Sequence, residues 1–261
     1  MEQLLRYDSV EISFNGRSVI HDVSFELHRG EILGIVGESG SGKSTLLKAA
    51  LGLLGPGGMV TRGDIWLESI DLPDLSDKEM RKISGAKIGM IFQDAGASLC
   101  PIRTIGSQIH ESMRAHRKVT KDEAREQALD MFGKLNFPDA ERIWDSYPFE
   151  LSGGMKQRVG ISIAMLMNPE VLLADEPTSA LDVTAQKLAA DEMLHLKERM
   201  GTAVVLVSHD IGLISYMADT ILVLKDGQVM EYGSARQVLN SPSNSYTVQL
   251  MNAVPRLKRN G

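Results

Sequence analysis

The chain has 261 residues, 43% of them hydrophobic and 24% charged, so it can bury the core of one large domain or of a domain with a subdomain. Its net charge of −6 gives no general attraction for nucleic acid or anionic lipid, and its longest tight apolar cluster, residues 161–167, is far short of the roughly 18–20 residues that cross a bilayer. A single cysteine, Cys100, excludes an internal disulfide framework and any all-cysteine zinc or iron–sulfur site, and reads as an ordinary semi-buried thiol.

Residues 4–14 and 19–27 are rich in β-branched and aromatic side chains and break at Asn15-Gly16, which predicts an antiparallel hairpin. Residues 31–36 form a short apolar run ending in a glycine-rich loop, after which 43–54 has a helical pattern; 88–92 predicts a further strand. From about 103 to 167 the texture turns helical, with Thr120 and Glu123 spaced as a capping box. A strand-then-helix rhythm returns with strands at 171–174, 203–207 and 220–224 and helices at 184–199 and 211–217, implying an α/β fold with a mostly parallel sheet. There is no internal repeat, and the basic end, residues 256–261, reads as a solvated tail.

Gly37-Glu-Ser-Gly-Ser-Gly-Lys-Ser44 fits G-x-x-x-x-G-K-[ST] without exception, between a predicted strand and a predicted helix. Gly37, Gly40 and Gly42 let successive backbone N–H groups wrap phosphates, and the helix N-terminus adds partial positive charge. Lys43 neutralises phosphate oxygens, the Ser44 hydroxyl can ligate Mg²⁺, and Ser39, Ser41 and Thr45 complete the predicted nucleotide-binding set. The strand over 171–174 stops at two carboxylates: Asp175 is placed to hold Mg²⁺ through water, and Glu176, facing the opposite way, to orient the attacking water as general base. His209, after the strand over 203–207, sits at the same sheet edge and suits contact with a γ-phosphate. Gln93, after the strand over 88–92, is a third polar group there, able to reach the metal or the water. Singly, these segments also fit a glycine-rich turn, an acidic helix start and a structural histidine; together with a phosphate loop they favour nucleotide hydrolysis.

Leu151-Ser-Gly-Gly-Met155, followed by Lys156-Gln-Arg158, resembles the signature sequence of the ABC ATPase family. With the phosphate loop, Gln93, Asp175-Glu176, Ser179-Ala-Leu-Asp182 and His209 in that family's order, the resemblance covers essentially the whole chain. It implies the P-loop ABC ATPase fold: a mostly parallel sheet core and an N-terminal antiparallel β subdomain over 1–93 and 171–261, with an inserted α-helical subdomain over about 94–170. It also implies that Phe14 stacks on adenine, and that two such domains face each other. Each ATP would then lie between one domain's phosphate loop and the other's Ser152, Gly153 and Gly154, with Asp182 linking the two sites. A helix starting near Ser152 suits this, because its N–H groups and hydroxyl can meet a γ-phosphate while its own chain's Lys43 is remote.

Within the family, residues 91–101 and 147–158 resemble the peptide and nickel permease group, of which methionine at 155 is typical, and residues 241–248 resemble that group's closing motif. Ala95 and Cys100 depart from its usual proline and asparagine. Peptide importers often continue into a cysteine-rich extension holding an iron–sulfur cluster; this chain stops before it, so no cluster is expected, and the short ending resembles the nickel type. The resemblance implies ATP and Mg²⁺ as cofactors and a second, related ATPase subunit. It further implies two transmembrane permease subunits, with a helix of the membrane subunit received near residues 94–109, an extracytoplasmic substrate-binding protein, no nucleic acid, and a place on the cytoplasmic face of the membrane. The cargo expected is a nickel or metal complex or a di- or oligopeptide. A soluble ABC ATPase acting on nucleic acid or ribosomes is the rival, but it calls for a coiled-coil insertion or a second cassette. Intact Glu176 and His209 disfavour a cassette that binds ATP without hydrolysing it.

Overall fold

The structure is a computed structural model that describes residues 2–179 and 181–252; Ala180 and the basic tail over 256–261 lie outside the described residues. In chain order the elements are β1 (Gln3–Phe14), β2 (Arg17–His28), β3 (Ile32–Val36), α1 (Lys43–Ala50), β4 (Gly58–Leu67), β5 (Ile70–Asp71), α2 (Asp77–Ile83) and β6 (Ile88–Ile91). Then come α3 (Ala95–Ser98), α4 (Ile105–His116), α5 (Lys121–Lys134), α6 (Ala140–Asp145), a 3₁₀ turn (Pro148–Glu150) and α7 (Gly153–Met165). The last are β7 (Val171–Asp175), α8 (Val183–Met200), β8 (Ala203–Val207), α9 (Ile211–Met217), β9 (Thr220–Lys225), β10 (Gln228–Ser234), α10 (Ala235–Asn240) and α11 (Ser245–Asn252). Among the described residues no helix is long and apolar enough to cross a membrane.

Two compact units emerge: residues up to 4, 28–30 and 74–204 form one, and 5–27, 31–73 and 205 onward the other. The latter carries the glycine-rich loop. Its predicted hairpin forms as β1 and β2, and Asn15 (φ 50°) and Gly16 (φ 79°) both take the left-handed conformation a two-residue hairpin turn requires. The antiparallel sheet runs β2-β1-β4-β5. β4 has no apolar alternation and buries only Ile65 and Leu67, with Gly63 (φ 75°) set against a register shift in β1, which is why no strand is legible there in the sequence. Tyr7 of β1 stacks on Phe25 of β2 at 4.3 Å, and its hydroxyl donates to Leu46 O of α1 at 2.7 Å; burial pushes this phenol far above its ordinary pKa. One buried tyrosine thus fastens the antiparallel sheet to the helix that follows the glycine loop. The helix predicted over 43–54 ends at Ala50, because Gly52, Gly55 and Gly57 all adopt positive φ and turn the chain away. β3 and β9 pair in parallel and β9 turns back antiparallel into β10. Every residue of β3 is buried, each large aliphatic side chain contributing about 1.5–3 kcal/mol of hydrophobic stabilisation.

The other unit pairs β6 with β7 in parallel, Ile88 opposite Val171 through Ile91 opposite Ala174, and contains α2 to α8. The capping box forms as predicted: Thr120 Oγ1 accepts from Glu123 N at 3.3 Å, and the Glu123 carboxylate accepts from Thr120 N at 2.7 Å, which holds its pKa below the usual value. Arg158 of α7 pairs at 2.8 Å with Glu192 of α8, which is only 2% exposed; Arg158 also donates to Leu135 O and lies over the Phe137 ring at 4.4 Å. Burial raises the Glu192 pKa, and Arg158 opposes that shift. Removing either partner of such a buried pair costs about 3–5 kcal/mol, because the other charge is left uncompensated. This network fixes α7, the helix that begins at the Ser152 motif, to α8 behind it.

Candidate nucleotide-binding site

The glycine-rich loop follows β3 and opens α1, the strand–loop–helix order that its sequence pattern requires. Gly37, Gly40 and Gly42 have φ of 159°, 83° and 102°. At Gly37 a Cβ would lie 2.1 Å from Leu224 O, and at Gly42 2.4 Å from the Ile20 side chain, so neither position admits another residue without displacing its neighbour. Lys43 is only 6% exposed, and its ammonium donates to Gly37 O at 2.9 Å and Glu38 O at 2.7 Å, so the cation lies within the turn it closes. Thr104, Thr120, Asp139, Asp182 and Asp210 cap their helices through side-chain oxygens, whereas α1 starts at Gly42, with no side-chain cap and no acid in its first turn. A helix start without an internal anion, beside a buried ammonium and the hydroxyls of Ser39, Ser41, Ser44 and Thr45, is a donor set that fits polyphosphate.

His209 belongs to the same unit as the loop. Ser208 N donates to Ile35 O at 3.2 Å, so the end of β8 lies beside the end of β3, and His209 is exposed at the edge from which the glycine loop departs. Asp210, next in line, caps α9 by accepting from Gly212 N at 2.7 Å and Leu213 N at 3.2 Å. Phe14 is half-buried at the end of β1, paired with Gly58, whose missing side chain leaves room for the ring.

In the other unit, the parallel register of β6 and β7 carries Gln93 and Glu176 to equivalent places just past the strand ends. Gln93 Nε2 donates to Glu176 Oε2 at 3.2 Å. Asp175 is buried at the end of β7, while Glu176 is half-exposed with φ 47°, a left-handed conformation rare for glutamate and costing about 1–3 kcal/mol. Its carbonyl accepts from Ser179 N at 3.2 Å and Ser179 Oγ at 3.1 Å, a turn with Pro177 at its second position that holds Glu176 at the strand end. A carboxylate presented to solvent and steadied by an amide can align a water molecule and take its proton. Ser152 caps α7, its Oγ accepting from Met155 N at 3.3 Å, and it is exposed together with Gly153, around which a Cβ would meet nothing within 4 Å. Asp182 caps α8 by accepting from Ala185 N at 2.9 Å. A groove of about 480 Å³, floored by Met90, Ile91 and Leu99 and rimmed by Arg103, Gln108 and Glu111, opens beside α3 and α4; Ala95 and Cys100 also line it.

Two contacts on the glycine loop escape sequence inspection. Gly227 N donates to Ser41 O at 3.0 Å, and Glu38 N donates to the Tyr246 hydroxyl at 3.3 Å across 208 positions. The Asp226-Gly227 turn joins β9 to β10, and no local pattern links Gly227 to Ser41 or Tyr246 to Glu38.

A glycine loop closing on a buried lysine, a strand ending in an acidic pair and a helix opening at Ser-Gly-Gly define a nucleotide-hydrolysing cassette of the P-loop class. Residues 20–179 match the family model described as ABC transporter, and the chain belongs to that family. It is 40% identical over 266 residues to the dipeptide transport ATP-binding protein DppD of Bacillus subtilis, covering 100% of this chain and 79% of that one. It is 44% identical over 241 residues to the oligopeptide transport ATP-binding protein AmiE of Streptococcus pneumoniae, covering 92% of this chain and 68% of that one. Among solved structures, a dimeric ATP-binding cassette in a post-hydrolysis state bound to ADP and Pi superposes with a TM-score of 0.78 at 32% identity, over 89% of this chain and 99% of that one. The fold is thus that of the ABC ATPase cassettes, as the signature residues imply.

Proposed function

We propose that this chain is the ATP-hydrolysing subunit of a bacterial importer of di- or oligopeptides. The observation that carries the proposal is the buried Lys43 in its glycine turn, found in a chain 40–44% identical to peptide-transport ATP-binding proteins over nearly its whole length. Lys43 and the N–H groups of the loop hold the β- and γ-phosphates, Phe14 stacks on adenine, and His209 contacts the γ-phosphate. Ser44, Gln93 and Asp175 would hold Mg²⁺, which neutralises phosphate charge and orients the oxygens. Glu176 orients water and accepts its proton as the water oxygen attacks phosphorus and ADP departs with the bridging oxygen.

The exposed N-terminus of α7 at Ser152 and Gly153 supports pairing with a second, related ATPase, each ATP lying between one chain's loop and the other's Ser152 motif, with Asp182 bridging the sites. ATP then joins the subunits, and loss of the γ-phosphate lets them part. The apolar groove beside α3 and α4 would receive a helix from a permease subunit on the cytoplasmic face, with an extracytoplasmic protein delivering cargo. Peptide is proposed over nickel because the relatives carry peptide names. Deleting the gene in its host is expected to abolish uptake of labelled di- and oligopeptides, with restoration by the wild-type chain. Undiminished peptide uptake would refute the cargo.

A further inference from the structure

The two bonds onto the glycine loop from the C-terminal part of the chain act on residues at its heart. Glu38 is held at both ends of its backbone: its N–H donates to the Tyr246 hydroxyl, and its carbonyl receives Lys43 Nζ. Tyr246 is itself placed by a built support. The Glu231 carboxylate, 8% exposed, accepts from Ser243 N at 2.8 Å, Ser243 Oγ at 3.0 Å and Asn244 N at 3.2 Å, pinning the turn before α11 to β10. Asn244 Oδ1 then accepts from Tyr246 N at 2.8 Å, and the Lys225 ammonium lies 4.7 Å from the Tyr246 ring centroid. Burial alone would raise the Glu231 pKa, but the donors from Ser243 and Asn244 overrule it and hold the group below its ordinary value. The support therefore has its full strength above the ordinary carboxylate pKa and is lost as pH falls through the depressed one. Burial first, and then the neighbouring Glu38 carboxylate, raise the Tyr246 phenol, so its hydroxyl stays neutral.

We infer that Tyr246, carried on the turn pinned by Glu231, is a positioning residue that keeps the phosphate loop in its anion-binding form and so sets nucleotide affinity rather than the rate of hydrolysis. The inference rests on the assignment of residues 37–44 as the ATP site. A loop already in its binding shape does not have to be ordered by the ligand, so weakening the support lowers affinity by the fraction of competent loop lost.

The test uses the full chain. Tyr246→Phe removes only the hydroxyl and keeps the ring, so the fold is preserved. Its Kd and KM for ATP are expected to rise about three- to tenfold, as for loss of one net hydrogen bond, with kcat within about twofold of wild type. Amide exchange at Glu38 should quicken without nucleotide. Glu231→Gln should shift Kd in the same direction, and the double variant should be no worse than the weaker-binding single one, because both act through a single contact. Unchanged Kd in Tyr246→Phe, a fall in kcat at constant KM, or additive effects in the double variant would each overturn the inference. A wild-type chain that binds no ATP would overturn the site assignment itself, and this inference with it.

Discussion

Glu176→Gln is expected to bind ATP as the wild type does, to turn it over about 100-fold more slowly or worse, and to accumulate as an ATP-bound dimer. Glutamine has the same size and can keep the left-handed backbone at position 176 through the Pro177 turn, whose bonds use only the main-chain carbonyl. The contact with Gln93 is also available to an amide oxygen. What disappears is the proton acceptor, so the γ-phosphate stays attached and continues to join the subunits. Phosphate release in steady state and gel filtration with and without ATP measure both effects; wild-type turnover in the variant would remove Glu176 from the mechanism.

Ser152→Arg should act across the subunit boundary. Arginine cannot accept the Met155 N–H, so the cap is lost at a cost of about 1 kcal/mol, and a long side chain is set over the exposed start of α7. The phosphate loop of the same chain keeps Lys43 and its glycines intact. In a dimer of one Ser152→Arg chain and one wild-type chain, hydrolysis at the wild-type chain's loop is therefore expected to fall about tenfold or more, as when an oxyanion donor is lost, while nucleotide binding by the variant chain's own loop persists. Normal turnover in the mixed dimer would count against a shared site.

Much of this was legible because the chemistry here is local in sequence. The loop over 37–44, the strand end at Asp175-Glu176 and the cap at Ser152 each depend on a few consecutive residues, and each lies on the element its pattern demands. The Thr120 and Glu123 box was likewise read directly, since both partners are three residues apart. The strands that escaped are those without a hydrophobic period. β4 buries only Ile65 and Leu67 and is broken at Gly63, and β10, on a sheet edge, buries only Glu231. The pairing of Gln93 with Glu176 needed the register of β6 on β7, which periodicity cannot supply. The anchoring of Glu38 by Tyr246 lay furthest from reach, because only the folded chain brings α11 to the loop. The choice between peptide and nickel was not legible in the residues, and the named relatives are dipeptide and oligopeptide transport ATP-binding proteins.

The shared site can be tested directly by covalent capture in the Glu176→Gln background with Cys100 replaced by serine. One tagged copy carries Ser39→Cys and a differently tagged copy carries Ser152→Cys, and a short bifunctional thiol reagent is added with or without ATP. A cross-link joining the two differently tagged chains is expected with ATP and not without it. Failure of ATP to bring residue 39 of one chain to residue 152 of the other, or a link formed only within one chain, would contradict it.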